Sequence, residues 1–347
     1  MDLKIRDLRV LVTAGASGIG LATARAFSRE GARVHVCDVD TAALDALAAS
    51  DPGLSRSVCD VADPASVGRL FERVASEMGG LDALVNNAGI AGPTAPCEEV
   101  ALHDWERTLA VNLTGQFLCA QRAIPMLKTS ANPSITNLSS AAGRFGFPNR
   151  APYAASKWGV IGLTKTLSIE LGPHGIRVNA ICPGSVAGPR IEAVYTHKAA
   201  LRGVAPEVVR DEMIANSSLR RMVTADDIAN AIVFVASPLG ANISGHALPV
   251  DGTRTGWSDG KDSDDFLLRS APRWERSRPV PNWQGGSSHD AQDSPVAGNI
   301  RDRWIGFDRV RNRSARIGGR RQLVLPARRS HIESSLRFVS AGSQRKN

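Results

Sequence analysis

Tyr153 and Lys157 stand four residues apart, a spacing that on a helix puts both side chains on one face, a turn apart. An ammonium beside a phenol favours the phenolate and draws its pKa down from about 10 toward the working range. Tyr153 thereby becomes a usable acid or base. Ser140 closes the run Asn137-Leu138-Ser139-Ser140 and precedes Tyr153 by thirteen residues, so its hydroxyl can hold a substrate oxygen where a strand ends.

A second constellation lies at the start of the chain. Val10-Leu11-Val12-Thr13 runs into Ala14-Gly15-Ala16-Ser17-Gly18-Ile19-Gly20 and then Leu21-Ala22-Thr23-Ala24, which reads as strand, small-residue turn and helix start. Small residues let the backbone approach a pyrophosphate, and the helix start aims free N–H groups at it. The next β-branched run ends at Cys37-Asp38, eighteen residues past Gly20. A carboxylate there accepts hydrogen bonds from the adenosine ribose and repels a 2′-phosphate. Ala16 and Ser17 offer no cation, and none follows Asp38 directly, so NAD is expected in preference to NADP.

These side chains need a scaffold, and the chain supplies one. From Leu8 to about Val250 short β-branched runs alternate with longer helical patterns, as in an α/β doubly wound parallel sheet covered on both faces. Strands are expected at Arg9 to Thr13, Arg33 to Asp38, Ala83 to Asn86, Ser134 to Leu138, Arg177 to Ile181 and Leu248 to Val250, with a weaker one before Asp60. Helices are expected at Ile19 to Glu30, Thr41 to Ala49, Pro64 to Met78, Leu102 to Leu127, Tyr153 to Leu171 and Ala225 to Ala236. That is about seven strands and six helices without a linker, hence one domain over residues 1–257. Between Pro183 and Ala225 the rhythm breaks into some 40 residues of mixed helical pattern, which reads as a substrate lid.

Charge separates this body from the rest. Residues 1–257 carry 24 Lys+Arg against 24 Asp+Glu, and residues 258–347 carry 18 against 10, so the net +8 belongs to the last 90 residues. The high pI is therefore no argument for a nucleic-acid enzyme. The tail, with 16 Arg, 2 Lys, 13 Ser and no apolar period, is expected to be a basic, disordered C-terminal extension. An RNA-binding or private interaction arm is the weaker reading, since aromatic-spaced repeats and clean basic blocks are missing. Its composition is also what out-of-frame translation of GC-rich DNA would give. No apolar run is long enough for a membrane span, and Met1 to Val10 lack a secretory pattern, so a cytoplasmic protein is expected. Cys37, Cys59, Cys97, Cys119 and Cys182 form no CxxC pair, which points to reduced thiols and no metal site.

Residues 8 to about 256 resemble a classical short-chain dehydrogenase/reductase. The resemblance rests on the Thr13 to Gly20 loop, Asp60-Val61, Asn86-Asn87-Ala88-Gly89, Val111-Asn112, Ser140, Tyr153-Ala154-Ala155-Ser156-Lys157, Arg177-Val178-Asn179 and Pro183-Gly184 in order. It implies a single Rossmann-fold domain, a nicotinamide cofactor and a homo-oligomer, tetramer or dimer. By the family pattern Tyr153 is the acid or base, Lys157 holds the nicotinamide ribose, Ser140 orients the reacting oxygen, and Asn112 holds a water linking the lysine to solvent. Cofactor contacts are implied for Thr13, Ala14, Ser17, Gly18, Ile19, Gly20, Asp38, Asp60, Val61, Asn87, Ala88, Gly89, Tyr153, Lys157, Pro183, Gly184 and Val186. Two positions depart from the pattern. Ala14 replaces the first loop glycine, costing about 1 kcal/mol or more if φ is positive there and Gly15 does not absorb the change. Gly188 stands where many members have threonine, leaving backbone, water or Arg190 to replace the hydroxyl.

Substrate contacts are expected from Ser140, Arg144, Tyr153, Gly184 and Arg190. Arg150, His197 and Arg202 are further cations that an anionic substrate would use, although loop arginines are more commonly solvated. The expected reaction interconverts a secondary alcohol and its ketone by hydride transfer with NAD(H), on a small-molecule substrate. The alternatives are an NADP-dependent 3-oxoacyl or other carbonyl reductase, against which Asp38 argues, and a non-catalytic nucleotide-sensing or scaffold protein, against which the intact Ser140, Tyr153 and Lys157 argue.

Overall fold

Five of the seven strands are runs with nearly every residue buried, as strands covered by helices on both faces must be. The computed structural model describes residues 2–253, so the expected boundary at Trp257 and the readings made of residues 258–347 lie outside the described residues. The strands are β1 (Arg9–Thr13), β2 (Arg33–Asp38), β3 (Ser55–Val58), β4 (Ala83–Asn86), β5 (Ser134–Leu138), β6 (Arg177–Pro183) and β7 (Ala247–Val250). They form one sheet in the order β3-β2-β1-β4-β5-β6-β7, with all neighbours parallel. The strand order reverses direction between β1 and β4, which opens a ligand crevice at the carboxyl ends of these strands.

Helices cover both faces. On one side α1 (Gly18–Arg29) and α9 (Ala225–Ala236) share a core in which Phe27, Ile228 and Ile232 are fully buried, with α2 (Thr41–Ser50) beside them. On the other, α3 (Pro64–Met78), α5 (Gly115–Leu127) and α6 (Ala151–Leu171) bury Leu70, Cys119 and Leu167 against the sheet. The strands β1, β2, β4 and β5 and helices α3 and α9 have the bounds expected from the sequence, and β3 is the weaker strand expected before Asp60.

Two stretches differ from the sequence reading. The expected helix from Leu102 to Leu127 is interrupted: α4 (Leu102–Leu109) passes into a π-helical turn, Ala110–Thr114, before α5 begins. The turn contains Asn112, whose side chain bonds to the Ile90 backbone; π turns of this kind recur at functional sites. Residues 183–225 contain two helices, α7 (Pro189–Arg202) and α8 (Pro206–Ala215), instead of one unassigned stretch. Val209 and Met213 pack with Ala199 in a small cluster of their own. Arg202 clamps Glu212 through two bonds of 2.6 and 2.8 Å. A parallel bridge between Val186 and Val223 closes the base of this excursion. Among the described residues no helix is long and apolar enough to cross a membrane.

The β1–α1 loop decides how closely backbone can approach a ligand. A Cβ on Gly20 would meet the Ala14 carbonyl oxygen at 2.1 Å, and one on Gly15 would meet Val36 at 2.6 Å. Gly18, at φ 52°, has nothing within 4 Å of that position, so it lines open space. Ala14 itself is left-handed, at φ 50°. The neighbouring Gly15 therefore does not absorb the change, and the methyl sits in a conformation that costs an L-residue about 1–2 kcal/mol. Ala14→Gly relieves that cost while loosening the unfolded chain by about 0.4–1 kcal/mol. A net gain of about 0.5–1 kcal/mol is expected, read in thermal denaturation as a Tm higher by about 2 °C; a lower Tm would contradict the strain.

Candidate active site

Ser140 follows β5 and opens a short 3-10 turn, Ala141–Gly143, accepting a hydrogen bond at Oγ from the Ala142 N–H at 3.1 Å. The preceding Ser139 donates from Oγ to the Lys157 carbonyl oxygen at 2.8 Å, which ties the strand end to α6. Deeper in the sheet Asn86 donates to Asn137 Oδ1 at 2.9 Å, and Asn137 donates to Thr164 Oγ1 at 3.0 Å. This buried chain fixes the depth of α6 against β4 and β5 through the Asn86 and Asn137 amide donors. Helix α6 begins two residues before Tyr153, with Pro152 in its first turn. Tyr153 and Lys157 are thus brought to the strand ends by one helix and by the bonds that dock it.

Lys157 is buried, and its Nζ donates to the Leu138 carbonyl oxygen at 2.8 Å. The same ammonium lies 5.7 Å from the Tyr153 ring centroid. Burial pushes Lys157 below the usual lysine range and Arg190 adds to that, while Tyr153 and Cys182 oppose it. For Tyr153 burial alone would raise the phenol. Lys157, Arg190, a side-chain hydrogen bond with Ser140 and Arg150 outweigh it and hold the group below its ordinary value of 10. A phenol so placed gives up its proton more readily than an ordinary tyrosine and can exchange it with an oxygen that Ser140 holds.

Asn112 holds the loop behind the lysine. Its Oδ1 accepts from the Ile90 N–H at 2.7 Å, and its Nδ2 donates to the Ile90 carbonyl oxygen at 3.0 Å and to Ser156 Oγ at 3.1 Å. Both amide hydrogens are engaged, so a water that the side chain helps to hold would have to donate to Oδ1. The family resemblance is what points to this residue. The π turn that carries it left no trace in the periodicity.

Eleven of the seventeen cofactor contacts that the family resemblance implies line one cleft of about 490 Å³. Ala14, Ser17, Gly18, Ile19, Asn87, Gly89, Tyr153, Lys157, Pro183, Gly184 and Val186 line it, together with Ser140 and Arg190. Thr13, Gly20, Asp38, Asp60, Val61, Ala88 and Asn112 are not among its lining residues. Several of them hold the lining in place. Thr13 Oγ1 accepts from the Asn87 and Ala88 N–H groups at 3.0 Å, and Asn87 Nδ2 donates to the carbonyls of Thr13 and Ala14 at 3.0 Å. Asp38 accepts from the Ala16 N–H at 3.1 Å and from the Asp40 N–H at 3.2 Å, so it both fastens the loop and caps the following turn. Asp60 accepts from the Ala62 N–H at 2.9 Å and pairs with Arg107 at 3.3 Å. A dinucleotide phosphate fits this loop: Ser17 at the α1 N-cap makes no side-chain cap for the first helical N–H groups, and nothing lies within 4 Å of a Cβ placed on Gly18.

Arg144, expected beside the substrate, is not a lining residue; its guanidinium is paired with Asp251 at 3.3 Å. Arg202 is clamped to Glu212, and His197 does not line the cleft. Arg150 takes the inward position instead, with Phe147, Ala91, Ile191 and Val194 completing a wall that sequence spacing does not reveal. Among the described residues, no group of three or more His, Cys, Asp or Glu could hold a metal ion.

This arrangement has counterparts in known proteins. A family model described as enoyl-(acyl carrier protein) reductase matches residues 13–255. The chain is 40% identical over 267 residues to the D-threitol dehydrogenase of Mycolicibacterium smegmatis, covering 73% of this chain and 95% of that one. It is 37% identical over 248 residues to the cis-4-hydroxycyclohexanecarboxylate dehydrogenase of Sinomonas cyclohexanicum, covering 71% and 95%. Among solved structures, that of NAD+-bound xylitol dehydrogenase superposes with a TM-score of 0.69 at 32% identity, over 72% of this chain and 100% of that one. With sequence and fold matching along nearly the whole described sheet, the chain belongs to the short-chain dehydrogenase/reductase family, oxidoreductases that act on CH–OH groups.

Proposed function

We propose that this protein is an NAD(H)-dependent dehydrogenase of the cytoplasm that interconverts a secondary alcohol and its ketone, with Tyr153 as the acid or base. The observation that carries the reading is that Tyr153 and Ser140 line one cleft with the buried Lys157 ammonium, walled on its other side by the β1–α1 loop. In oxidation the Tyr153 phenolate takes the hydroxyl proton of the substrate, and Ser140 Oγ–H steadies the oxygen as it becomes a carbonyl. Lys157 favours the phenolate and is placed to hold ribose hydroxyls. In reduction the same phenol returns its proton. Nicotinamide, when bound, supplies or accepts the hydride. Asn112 positions Ile90 and the Gly89 turn, where an added Cβ would fall 3.2 Å from Asn112 Oδ1 and 3.4 Å from Lys157 Nζ.

Asp38 supports NAD in preference to NADP. It is buried beside the loop, with both carboxylate oxygens directed by backbone N–H groups, and a 2′-phosphate brought to it would meet charge repulsion. The NADP-dependent 3-oxoacyl reductase alternative lacks a cation at this position. The xylitol dehydrogenase neighbour is an NAD+ complex, which agrees with the NAD reading. A homo-oligomer is part of the same proposal: Trp158 and Ile169 on α6 and Phe117 on α5 are large apolar side chains left exposed.

Asp38→Ala is expected to weaken NAD binding by about tenfold, the size of a lost charge-assisted pair, and to narrow the preference over NADP. Fluorescence titration with both reduced cofactors measures it; unchanged affinities for both would remove the assignment, although loss of the Ala16 bond also loosens the loop.

The pH profile tests the acid or base directly. Oxidation requires the deprotonated phenol, so its rate rises with pH through the Tyr153 pKa and levels off above it, on a limb below that of an ordinary phenol. Lys157→Met removes the largest lowering influence and leaves the burial that raises the phenol, so the limb moves to higher pH. Tyr153→Phe is expected to lower kcat by about 10²–10⁴-fold with NAD affinity retained. Full turnover by the phenylalanine variant on a panel of alcohols would refute the reading.

A further inference from the structure

Arg150 is the buried cleft cation to which the reaction assigns no contact with substrate or cofactor. It is 3% exposed, and burial lowers its pKa from the usual arginine value. Asn149, at φ 60°, turns the chain immediately before it, a conformation that asparagine tolerates well. The Asn149 carbonyl oxygen accepts from the Ala95 N–H at 3.0 Å, which fixes the turn. The guanidinium is thereby sent inward, stacked 4.8 Å from the Tyr153 ring centroid and 5.3 Å from that of Phe147. One hydrogen bond holds it, from Nη2 to the Ala91 carbonyl oxygen at 2.7 Å, while its buried Nε has no partner.

A buried guanidinium is normally paired with a carboxylate, because removing the charge from water costs several kcal/mol otherwise. The described residues lining the cleft include Arg150, Lys157 and Arg190 and no Asp or Glu. The other arginines considered for this role are already engaged, Arg144 with Asp251 and Arg202 with Glu212. Lys157 is committed to the phenol and to ribose. Arg190 donates to the Gly89 carbonyl oxygen at 2.5 Å across the cleft. The unmet requirement therefore falls on Arg150, next to the reacting tyrosine, on a rigid turn and with a planar fork suited to a carboxylate.

We propose that Arg150 anchors a carboxylate of the substrate, which makes the protein selective for hydroxy acids and oxo acids over neutral alcohols and ketones. This rests on the dehydrogenase reading above for its substrate, though the anion site can be tested without turnover.

Calorimetry on the full chain with NAD+ present compares butyrate with butyramide, and cyclohexanecarboxylate with cyclohexanecarboxamide. For at least one pair the wild type is expected to bind the acid about ten- to a hundredfold more tightly than the amide, the range of a desolvated charge-assisted contact. Arg150→Met is expected to erase that preference. Arg150→Lys keeps the charge without the fork and should retain a preference reduced several-fold, which also provides the readout if the methionine variant does not fold. Equal binding of acid and amide in the wild type for both pairs, or a preference that survives in Arg150→Met, overturns the proposal. Turnover is scored on 3-hydroxybutyrate and its methyl ester, as a ratio of kcat/KM values so that any shared effect on Tyr153 cancels. Oxidation of both without preference overturns the anchor and leaves the dehydrogenase reading standing. Absence of turnover on these and on every other alcohol tried, with the acid preference intact in binding, sustains the anchor and overturns the dehydrogenase reading.

Discussion

A charged amine buried at the mouth of a sheet is costly unless something there benefits from it. Lys157 is satisfied on one side by the Leu138 carbonyl oxygen at 2.8 Å, and on the other it faces Tyr153. Burial disfavours the ammonium and the phenolate alike, so each raises the value of the other. The remaining site geometry follows from keeping these two groups together. Asn86, Asn137 and Thr164 fix α6 against the sheet, Ser139 ties its backbone to the end of β5, and Asn112 braces Ile90 behind the lysine.

Substrate and cofactor chemistry meet at this point because of the topology. Parallel strands end on one side, so the β1 loop, the Asp38 carboxylate, the Asn87 turn, Ser140 and the Pro183-Gly184 segment are neighbours despite their distance in sequence. Helices α7 and α8 are a different construction. They have their own small cluster and an ion-pair clamp, joined to the body through the Val186 and Val223 bridge, and α7 contributes Arg190, Ile191 and Val194 to the cleft. The Ser140, Tyr153 and Lys157 group thus stands on the sheet, while another part of the cleft wall stands on a separately packed pair. That division suits a family whose members share chemistry and differ in substrate.

What could be read from the sequence tracks what physics writes locally. Strands buried on both faces are continuous apolar runs, and β1, β2, β4 and β5 have the bounds those runs suggest. The Tyr153 and Lys157 spacing is itself geometry, so that pair was legible, as was the β1 loop. The break at Ala110–Thr114 was not, because one wide turn barely shifts an apolar stripe; only Asn112 hinted at it. Ala14 announced a possible strain, but its φ is set by the tertiary fit of Gly15 and Gly20. Among the loop arginines, sequence offered Arg144 and Arg190 for the substrate and Arg150 as a further cation, with nothing to rank them by position. Asp251, 107 residues away, claims Arg144, while the left-handed Asn149 turns Arg150 inward. Such choices depend on partners distant in the chain, which no local pattern records.

The central claim is that the Tyr153 phenol is acidified in place by the Lys157 ammonium. The chain has two tyrosines, Tyr153 and Tyr195, so labelling tyrosine with 13C at the ring carbon bearing the hydroxyl yields two resonances, and Tyr153→Phe identifies the one of interest. Titration by NMR is expected to show Tyr153 ionising below pH 10 in the wild type and at higher pH in Lys157→Met. A Tyr153 resonance that titrates at or above 10 in both proteins would contradict the account.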